Sequence, residues 1–235
     1  MSIEKLAPFL ATTYENFPKG RTIGLVVLRT SRSELILRTE GTGEPMCREF
    51  VSAGLTGEAS KQVVQRLVMT KRKQIAPERR KGREYLRAQD LLRQNKDGVA
   101  CALNTNAPCE FCVDCFLYGF AAGGGGAQKS RIWTEDAFSL LTAGDTLGDR
   151  TINAIFETGT MRDEKGNAST ALNTSEYIKP SVHFLDIVTL KDVTADEFRY
   201  IVGNILLTSR YGAVSSRVGR MENQILGIFG GIAEL

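Results

Sequence analysis

Four of the five cysteines in this sequence lie within fifteen residues, and this cluster constrains the fold more than any other feature. Cys109, Cys112 and Cys115 follow a C-x-x-C-x-x-C pattern, and Cys101 lies eight residues upstream. A tight turn can bring three thiolates at this spacing to one point, and a loop through Pro108 can return Cys101 as a fourth ligand. Four sulfur ligands suit a tetrahedral structural zinc ion, which leaves no open position for catalysis. The cluster therefore predicts a zinc site that fastens a loop with little core of its own.

Two other interpretations of the cysteines stay open. One is an iron–sulfur cluster, because C-x-x-C-x-x-C also begins a ferredoxin-type run. That run continues with a fourth cysteine followed by proline, whereas Phe116 follows Cys115 and no later cysteine occurs in the sequence. The other is a set of independent thiols or disulfides.

The composition is that of an ordinary soluble chain of one domain or slightly more. Its 235 residues are 42% hydrophobic and 24% charged, and no apolar run is long enough for a membrane span. The first residues lack the charged-then-apolar pattern of a signal peptide, and an odd number of clustered cysteines favours a reducing compartment. We therefore expect a cytoplasmic protein with no membrane partner.

Residues 61–96 concentrate the positive charge of the chain. They contain twelve Lys and Arg against three Asp and Glu, a net charge of +9, so that the remaining eighteen against twenty-four give −6. A concentration of one sign of charge predicts a polyanionic partner such as a nucleic acid. A solvated helix face is the alternative interpretation of the same block.

Hydrophobic patterning in the first half of the chain predicts strands followed by helices. Residues 22–29 and 34–39 are rich in β-branched and apolar side chains and predict a β-hairpin. Residues 63–68 repeat apolar side chains at helical spacing and predict a helix that Pro77 interrupts. A second, basic helix is expected after that proline, through residue 92.

The second half predicts short strands, a polar excursion and a regular C-terminal unit. Strands are expected at residues 129–133 and 151–156. Residues 157–180 lack core periodicity and predict a protruding hairpin or mobile loop. Thr194 and Glu197 form a capping-box pattern that begins a helix, between predicted strands at 182–190 and 224–229.

Strand, helix, glycine-containing loop and strand make up half of a ferredoxin-like fold. The predicted fold class is α+β, with a ferredoxin-like core, a zinc-binding insertion and a protruding hairpin. The expected divisions are first strands at 1–50, a basic helical and zinc-binding insertion at 51–128, a return to the core at 129–156, the protruding hairpin at 157–180, and core completion at 181–235. The chain stops without a polar tail, so a C-terminal part is expected to be absent.

Three segments of the sequence resemble segments of the repeat-associated RNA-binding superfamily of CRISPR systems. The run F-L-Y-G-F from Phe116, four glycines, Ser130-Arg131 and the D-A-F that ends at Phe138 are similar to one family segment. The Gly-, Ser- and Arg-rich loop at residues 209–219 is similar to the loop after the family's last helix. The cysteine cluster resembles the zinc insertion of the type I-D branch. The order of these segments resembles the guide-RNA backbone subunit of Cascade, the Cas-seven type.

This resemblance implies that the ferredoxin-like core is of the RNA-recognition-motif type and that residues 157–180 are a protruding hairpin thumb. It also implies a non-catalytic subunit in antiviral defence that binds CRISPR guide RNA (crRNA) along its phosphates. Copies of the subunit would stack as a filament with other Cascade subunits and present the guide to target DNA or RNA. The polar excursion would be a thumb that folds over the RNA and touches the next copy. Type III relatives that cleave RNA carry an aspartate in the loop after the first strands, and residues 40–45 contain none. We therefore expect no enzymatic activity.

A guide bound without regard to sequence needs phosphate contacts from Lys and Arg and close approach of the protein backbone. The candidates come from the basic segment, the two glycine loops and the thumb, although the glycines also suit a flexible linker. They are Lys71, Arg72, Lys73, Arg79, Arg80, Lys81, Arg83, Gly124, Gly125, Ser130, Arg131, Arg162, Arg210, Arg217 and Arg220.

Two further functions stay open. His183, the only histidine, is a candidate general base for guide processing or target cleavage, although its place within V-H-F-L-D-I-V favours a structural role. A zinc-containing RNA-binding protein outside CRISPR would share the same chemistry but would form no filament on RNA.

Overall fold

The computed structural model describes residues 3–14, 17–37, 46–103, 107–122, 126–153, 157, 159–162, 165–167, 172–212 and 218–234. The strands are β1 (Thr22–Ser31), β2 (Arg48–Ser52), β3 (Val63–Met69), β4 (Phe120–Ala122), β5 (Gly126–Gln128), β6 (Ile132–Thr134), β7 (Ala137–Thr142), β8 (Leu147–Asn153), β9 (Leu172–Ile178), β10 (His183–Lys191), β11 (Arg210–Tyr211) and β12 (Gly219–Gly231). The α-helices are α1 (Lys71–Ala88), α2 (Val113–Tyr118), α3 (Ala143–Thr146) and α4 (Ala195–Leu207), and short 3-10 helices lie at Ile3–Phe9 and Gly57–Lys61.

An antiparallel sheet with the strand order β11-β12-β1-β10-β7-β3-β2 forms the centre of the molecule. β1 pairs with β10 from Thr22 opposite Lys191 to Thr30 opposite His183, and with β12 along its other edge. β6 pairs with β10 beside β7. The sheet and helices agree with the α+β class, whereas the RNA-recognition-motif core stays a prediction.

The core on one face of β1 follows from the alternation of its side chains. Ile23, Leu25 and Val27 are fully buried, and they belong to one apolar cluster with Ile201 and Ile205 of α4. This explains why a strand so rich in apolar residues lies at the centre of the sheet, where both of its edges are paired.

The capping box predicted before α4 is present. The Thr194 hydroxyl oxygen accepts a hydrogen bond from the Glu197 amide at 3.3 Å, and the Glu197 carboxylate accepts one from the Thr194 amide at 2.8 Å. These two bonds satisfy backbone donors that a helix start otherwise leaves unpaired. The beginning of α4 was therefore readable from the sequence alone.

Three local predictions in the first half are wrong. Residues 63–68 belong to strand β3, because pairing with β2 and β7 outweighs an apolar spacing that also fits a helix. Pro77 lies inside the continuous helix α1, which already begins at Lys71 and ends at Ala88. The predicted hairpin is replaced by the pairing of β1 with β10 and β12, and Leu35 makes only an isolated bridge to Ile178.

β8 and β9 form a separate two-stranded antiparallel ribbon. Their register runs from Leu147 opposite Ile178 to Asn153 opposite Leu172. The ribbon therefore begins ahead of the polar excursion predicted at residues 157–180. Its first strand ends at Asn153, so the first half of the strand predicted at 151–156 lies in β8 and the second half falls on residues outside those described.

The helices of the described residues include none that is long and apolar enough to cross a membrane.

Gly82 lets α1 lie close to α4, and we expect Gly82→Ala to destabilise the protein by about 1–3 kcal/mol. A Cβ atom there would lie 2.3 Å from the amide nitrogen of Asn204, which is buried and hydrogen-bonded to Tyr118. Gly203→Ala, in the same pair of helices, is the matched control. Open space surrounds that position, so the substitution should stabilise the protein by about 0.5–1 kcal/mol. The free energy of unfolding in urea measures both, and equal effects would contradict the close approach.

Candidate nucleic-acid interface and metal site

Helix α1 forms one wall of an open groove of about 780 Å³. The segment that carries the four clustered cysteines, called here the cysteine loop, also lines this groove. Residues three, four or seven apart share one face of a helix, so the basic spacing of α1 collects positive side chains along this groove. The cationic lining residues are Lys71, Arg72, Arg79, Arg80, Arg83 and Arg87. Cys101, Ala102 and Leu103 line it from the loop. Arg87 is the one groove cation that is not among the candidates predicted from the sequence.

Two of these arginines are held by a buried carboxylate. The guanidinium of Arg83 donates to Asp114 at 2.7 Å and to the carbonyl oxygen of Cys101 at 2.5 Å, and its side chain is only 5% exposed. Arg79 donates to the same carboxylate at 3.0 Å and to the carbonyl oxygen of Gly119 at 3.0 Å. Asp114, in the first turn of α2, is fully buried. These contacts fasten α1 to the cysteine loop.

The remaining groove cations lie closer to solvent. Lys71, Arg72, Arg80 and Arg87 are exposed. Lys81, also exposed, pairs with Glu84 at 3.1 Å across one helical turn. Exposed positive charges along one helix face, backed by buried arginines that are already neutralised, can meet a line of phosphates.

The position of α1 against the sheet is set by Arg29 of β1, which is fully buried. Its guanidinium donates to Glu78 of α1 at 2.5 Å and to Asp186 of β10 at 3.0 Å. It also donates to the Tyr211 hydroxyl at 3.1 Å and the Asn223 side-chain oxygen at 3.3 Å. Burial alone would lower the pKa of Arg29, and the two carboxylates raise it above its usual value. Arg29 therefore stays charged and ties α1 to β1, β10, β11 and β12.

The four clustered cysteines meet at one point, as the sequence predicted. All four are buried, and their sulfur atoms lie within 4.8 Å of one another. The Sγ atoms of Cys101 and Cys115 are 3.7 Å apart, and those of Cys109 and Cys115 are 4.0 Å apart. Tetrahedral zinc with Zn–S bonds of about 2.3 Å requires sulfur–sulfur distances of about 3.8 Å. The donor set therefore fits a zinc ion.

Local geometry explains how this loop presents its sulfurs. The Cys109 amide donates to the Cys101 sulfur and the Cys112 amide to the Cys109 sulfur, both at 3.3 Å. Arg83 adds a longer contact of 3.5 Å to the Cys101 sulfur. Donors aimed at sulfur stabilise thiolate charge, and such neighbours orient metal ligands.

The sulfur–sulfur hydrogen bonds decide which thiol ionises first. Hydrogen bonds from Cys112 and Cys115, followed by that from Arg83, lower the pKa of the Cys101 thiol. The reciprocal bond to Cys101 raises the pKa of the Cys112 and Cys115 thiols. A divalent cation at this point would release protons from the thiols that bind it, so metal affinity there would depend on pH.

The other candidates lie apart from this groove or outside the described residues. Arg131 pairs with Glu197 and donates to the carbonyl oxygen of Asp192 at 3.0 Å, and the Ser130 hydroxyl bonds Leu117 and Ile132 backbone atoms. Arg210 and Arg220 are exposed register partners of β11 and β12, and Arg162 is exposed and bonds the Gly166 carbonyl oxygen. Gly124, Gly125 and Arg217 fall outside the described residues.

His183 lies in the sheet at the beginning of β10. Its Nδ1 atom is 2.9 Å from the hydroxyl of Thr30, its register partner on β1.

The sequence could not have indicated the anchoring residues Arg29, Glu78 and Asp114. Arg29 and Glu78 are 49 positions apart, and their buried pairing depends on how α1 docks on the sheet. Asp114 stands between two cysteines, but nothing in that spacing identifies its arginine partners.

Comparison with solved structures places this fold among CRISPR proteins. The crystal structure of Thermofilum pendens Csc2 is similar with a TM-score of 0.69 and 22% identity, over 98% of this chain and 74% of that one. A subunit of a CRISPR RNA-guided surveillance complex, in a pre-nicking state, has a TM-score of 0.51 and 10% identity, over 84% and 76%. A chain of the type III-B Cmr-beta complex bound to cognate target RNA has a TM-score of 0.50 and 14% identity, over 89% and 60%.

The fold is therefore one found in subunits of CRISPR RNA-guided complexes. The sequence model of the family described as Csc2 Crispr matches residues 9–235, which is nearly the whole chain. This protein belongs to the Csc2 CRISPR family. A comparison with proteins of curated function finds no match.

Replacing Cys112 with Ser should remove bound zinc, because three remaining sulfurs leave the tetrahedral site incomplete. Elemental analysis of protein purified under reducing, chelator-free conditions should show zinc in the wild type and a loss of it in the variant. Cys47→Ser is the matched control, because Cys47 is half-buried and lies outside the cluster. Hydrogen exchange should increase in residues 107–118 of the Cys112 variant and not in β1. A wild-type protein without metal would contradict the zinc assignment.

Proposed function

We propose that this chain is a non-catalytic guide-RNA backbone subunit of a type I-D-like Cascade complex. The observation that carries the proposal is the open groove beside α1, which exposed cations line along one wall. Membership of the Csc2 CRISPR family and the likeness to a chain from a complex bound to target RNA support it.

The arginines of α1 have two different roles in this proposal. Lys71, Arg72, Lys73, Arg80 and Lys81 contact guide phosphates, and Arg87 extends that line. Arg79 and Arg83 hold the wall of the groove, because Asp114 already accepts hydrogen bonds from both. A buried carboxylate shared by two guanidinium groups is a costly pair to break, so these two arginines act through the position of α1.

The remaining candidates act, in this proposal, at more distant phosphates. Exposed Arg210 and Arg220 offer adjacent charges at the edge of the sheet, and Arg217 lies between them in the sequence. Arg162 reaches RNA from the thumb, and Gly124 and Gly125 give close backbone approach. Ser130 and Arg131 are held by their bonds to Leu117 and Glu197, so in this proposal they act by positioning the backbone near RNA.

Zinc has a structural part in this function. Cys101, Cys109, Cys112 and Cys115 would hold the ion, which supplies a cross-link that keeps the loop in place when bound. Because Arg83 contacts both the Cys101 carbonyl oxygen and its sulfur, the loop and the arginine-rich helix form one wall of the groove.

We further propose that copies of the chain assemble as a filament along the guide in the cytoplasm, with other Cascade subunits, and present it for pairing with target DNA or RNA. The ribbon forms the base of the thumb, since β9 lies within residues 157–180. Its two strands are paired from end to end, which gives a firm base for a segment that reaches a neighbouring copy.

An endoribonuclease is the alternative function. The contact of His183 with the neutral hydroxyl of Thr30, within a paired strand, favours a structural role for this ring. No observation on the described residues favours the enzyme over the binding subunit.

Replacing both Arg80 and Arg87 with Ala should weaken binding of single-stranded RNA about equally for all sequences. Loss of two phosphate contacts should reduce the slope of log affinity against log salt by about 1.4. Arg199→Ala is the control, because Arg199 is an exposed arginine of α4 that pairs with Asp196. Fluorescence anisotropy of labelled RNAs at several salt concentrations measures the slope. A loss confined to one RNA sequence, or an unchanged slope, would contradict backbone recognition.

A deletion tests the thumb. Joining Asn153 to Leu172 through a two-residue turn should preserve the ribbon, since these two residues are already register partners. The variant should keep its zinc and bind RNA that is long enough for one copy. On RNA that is long enough for several copies, it should lose cooperative filling, because each copy no longer touches the next. Binding isotherms on the two lengths separate these effects, and wild-type cooperativity in the variant would rule out this role.

A further inference from the structure

A second groove, of about 360 Å³, continues from the first turn of α1. It shares Lys71 and Ile75 with the basic groove, so the two share a common wall. Its other lining includes Tyr118, Ser130 and Trp133. The basic groove is lined by six cations and one carboxylate, Glu84, whereas the second groove has Lys71 as its single cation and a lining that is mostly aromatic and apolar.

Trp133 is the most informative residue of this second groove, because it is a large aromatic that is 49% exposed. Its Nε1 atom donates to the Ser130 carbonyl oxygen at 3.1 Å. The ammonium nitrogen of Lys191 lies 4.4 Å from the centre of its ring, and Lys191 is itself paired with Glu234 at 2.6 Å. The polar edge of the indole is therefore satisfied and its orientation is set. A surface that is already oriented loses less freedom on binding.

The chemistry of an unpaired nucleotide matches this arrangement. A nucleobase has a flat face that stacks on an indole, and every base has such a face, so stacking is tolerant of sequence. The adjoining phosphate is anionic and Lys71 is the cation common to both grooves. A nucleotide at this junction would place its base beside Trp133 while its phosphate stays with the cations of α1.

We propose that this second groove receives one unpaired nucleobase of the bound RNA, stacked on the exposed face of Trp133. The inference rests on the proposed function, because the basic groove must first bind the backbone. It adds a contact to the base, which phosphate contacts alone do not provide. A side chain of a protein partner is the competing occupant, and the experiment distinguishes the two.

Trp133 is the only tryptophan of the chain, so its emission reports on this groove alone. The 235-residue chain is titrated with a single-stranded RNA oligomer and with an abasic oligomer that has the same ribose-phosphate backbone. Labelled versions of both monitor binding independently by anisotropy. The RNA should quench the emission, whereas the abasic oligomer should bind through its phosphates without quenching. Equal quenching by both oligomers, or RNA binding without quenching, would overturn the base site and leave the proposed function intact. Absence of RNA binding would overturn both.

Substitution supplies a second measurement. Trp133→Leu should reduce affinity for the RNA by about five- to a hundredfold and leave affinity for the abasic oligomer unchanged. Trp133→Phe should recover part of the loss, because a smaller ring still stacks. Phe50→Leu is the control, since Phe50 is an exposed aromatic on the edge strand β2. An equal loss for both oligomers would show that Trp133 acts on folding alone. An emission change that follows protein concentration without RNA would assign the ring to a protein contact, and would also overturn the proposal.

Discussion

The buried guanidinium of Arg29 is the interaction on which the arrangement of sheet and helix depends. A buried cation costs several kcal/mol unless carboxylates and hydrogen-bond acceptors surround it. Here Glu78 comes from α1, Asp186 and Asn223 come from β10 and β12 on either side of β1, and Tyr211 comes from the edge strand β11. Burial raises the pKa of Glu78 and of Asp186, and the charge of Arg29 opposes that rise. The helix therefore docks where Glu78 reaches Arg29, and the direction of its basic face is set by this contact.

A second buried carboxylate, Asp114, connects helix α1 to the cysteine loop. It accepts hydrogen bonds from Arg79 and Arg83, so the strand, the helix and the cysteine cluster are joined by two charged contacts in series. A high density of positive charge on one helix is thereby divided. Part of it is neutralised inside the protein and positions the groove, and the rest lies at the surface. The number of basic residues alone would therefore overstate the positive charge that the groove presents to solvent.

Several features were readable from the sequence because their causes are local. The convergence of the four cysteines depends on residues at short spacing within one segment. The capping box at Thr194 and Glu197 marks the beginning of α4, since both of its bonds lie within four residues. The predictions that failed depend on distant partners. The apolar spacing of residues 63–68 fits both a helix and a strand, and pairing with β2 and β7 makes the segment a strand. Pro77 lies inside α1 although a proline removes one helical hydrogen bond.

The sequence by itself determined the α+β fold class, the convergence of four cysteine sulfur atoms and the concentration of basic residues between 61 and 96. Only the tertiary structure decided which of those basic residues face solvent, because Arg79 and Arg83 look the same as Arg80 in sequence until Asp114 approaches them. It also placed Trp133 beside the end of the basic groove, since a short strand and the first turn of α1 meet there. The physical reason is the same in both cases. Local patterns fix what a residue can do, and the burial and partners that fix what it does come from elements far apart in the chain.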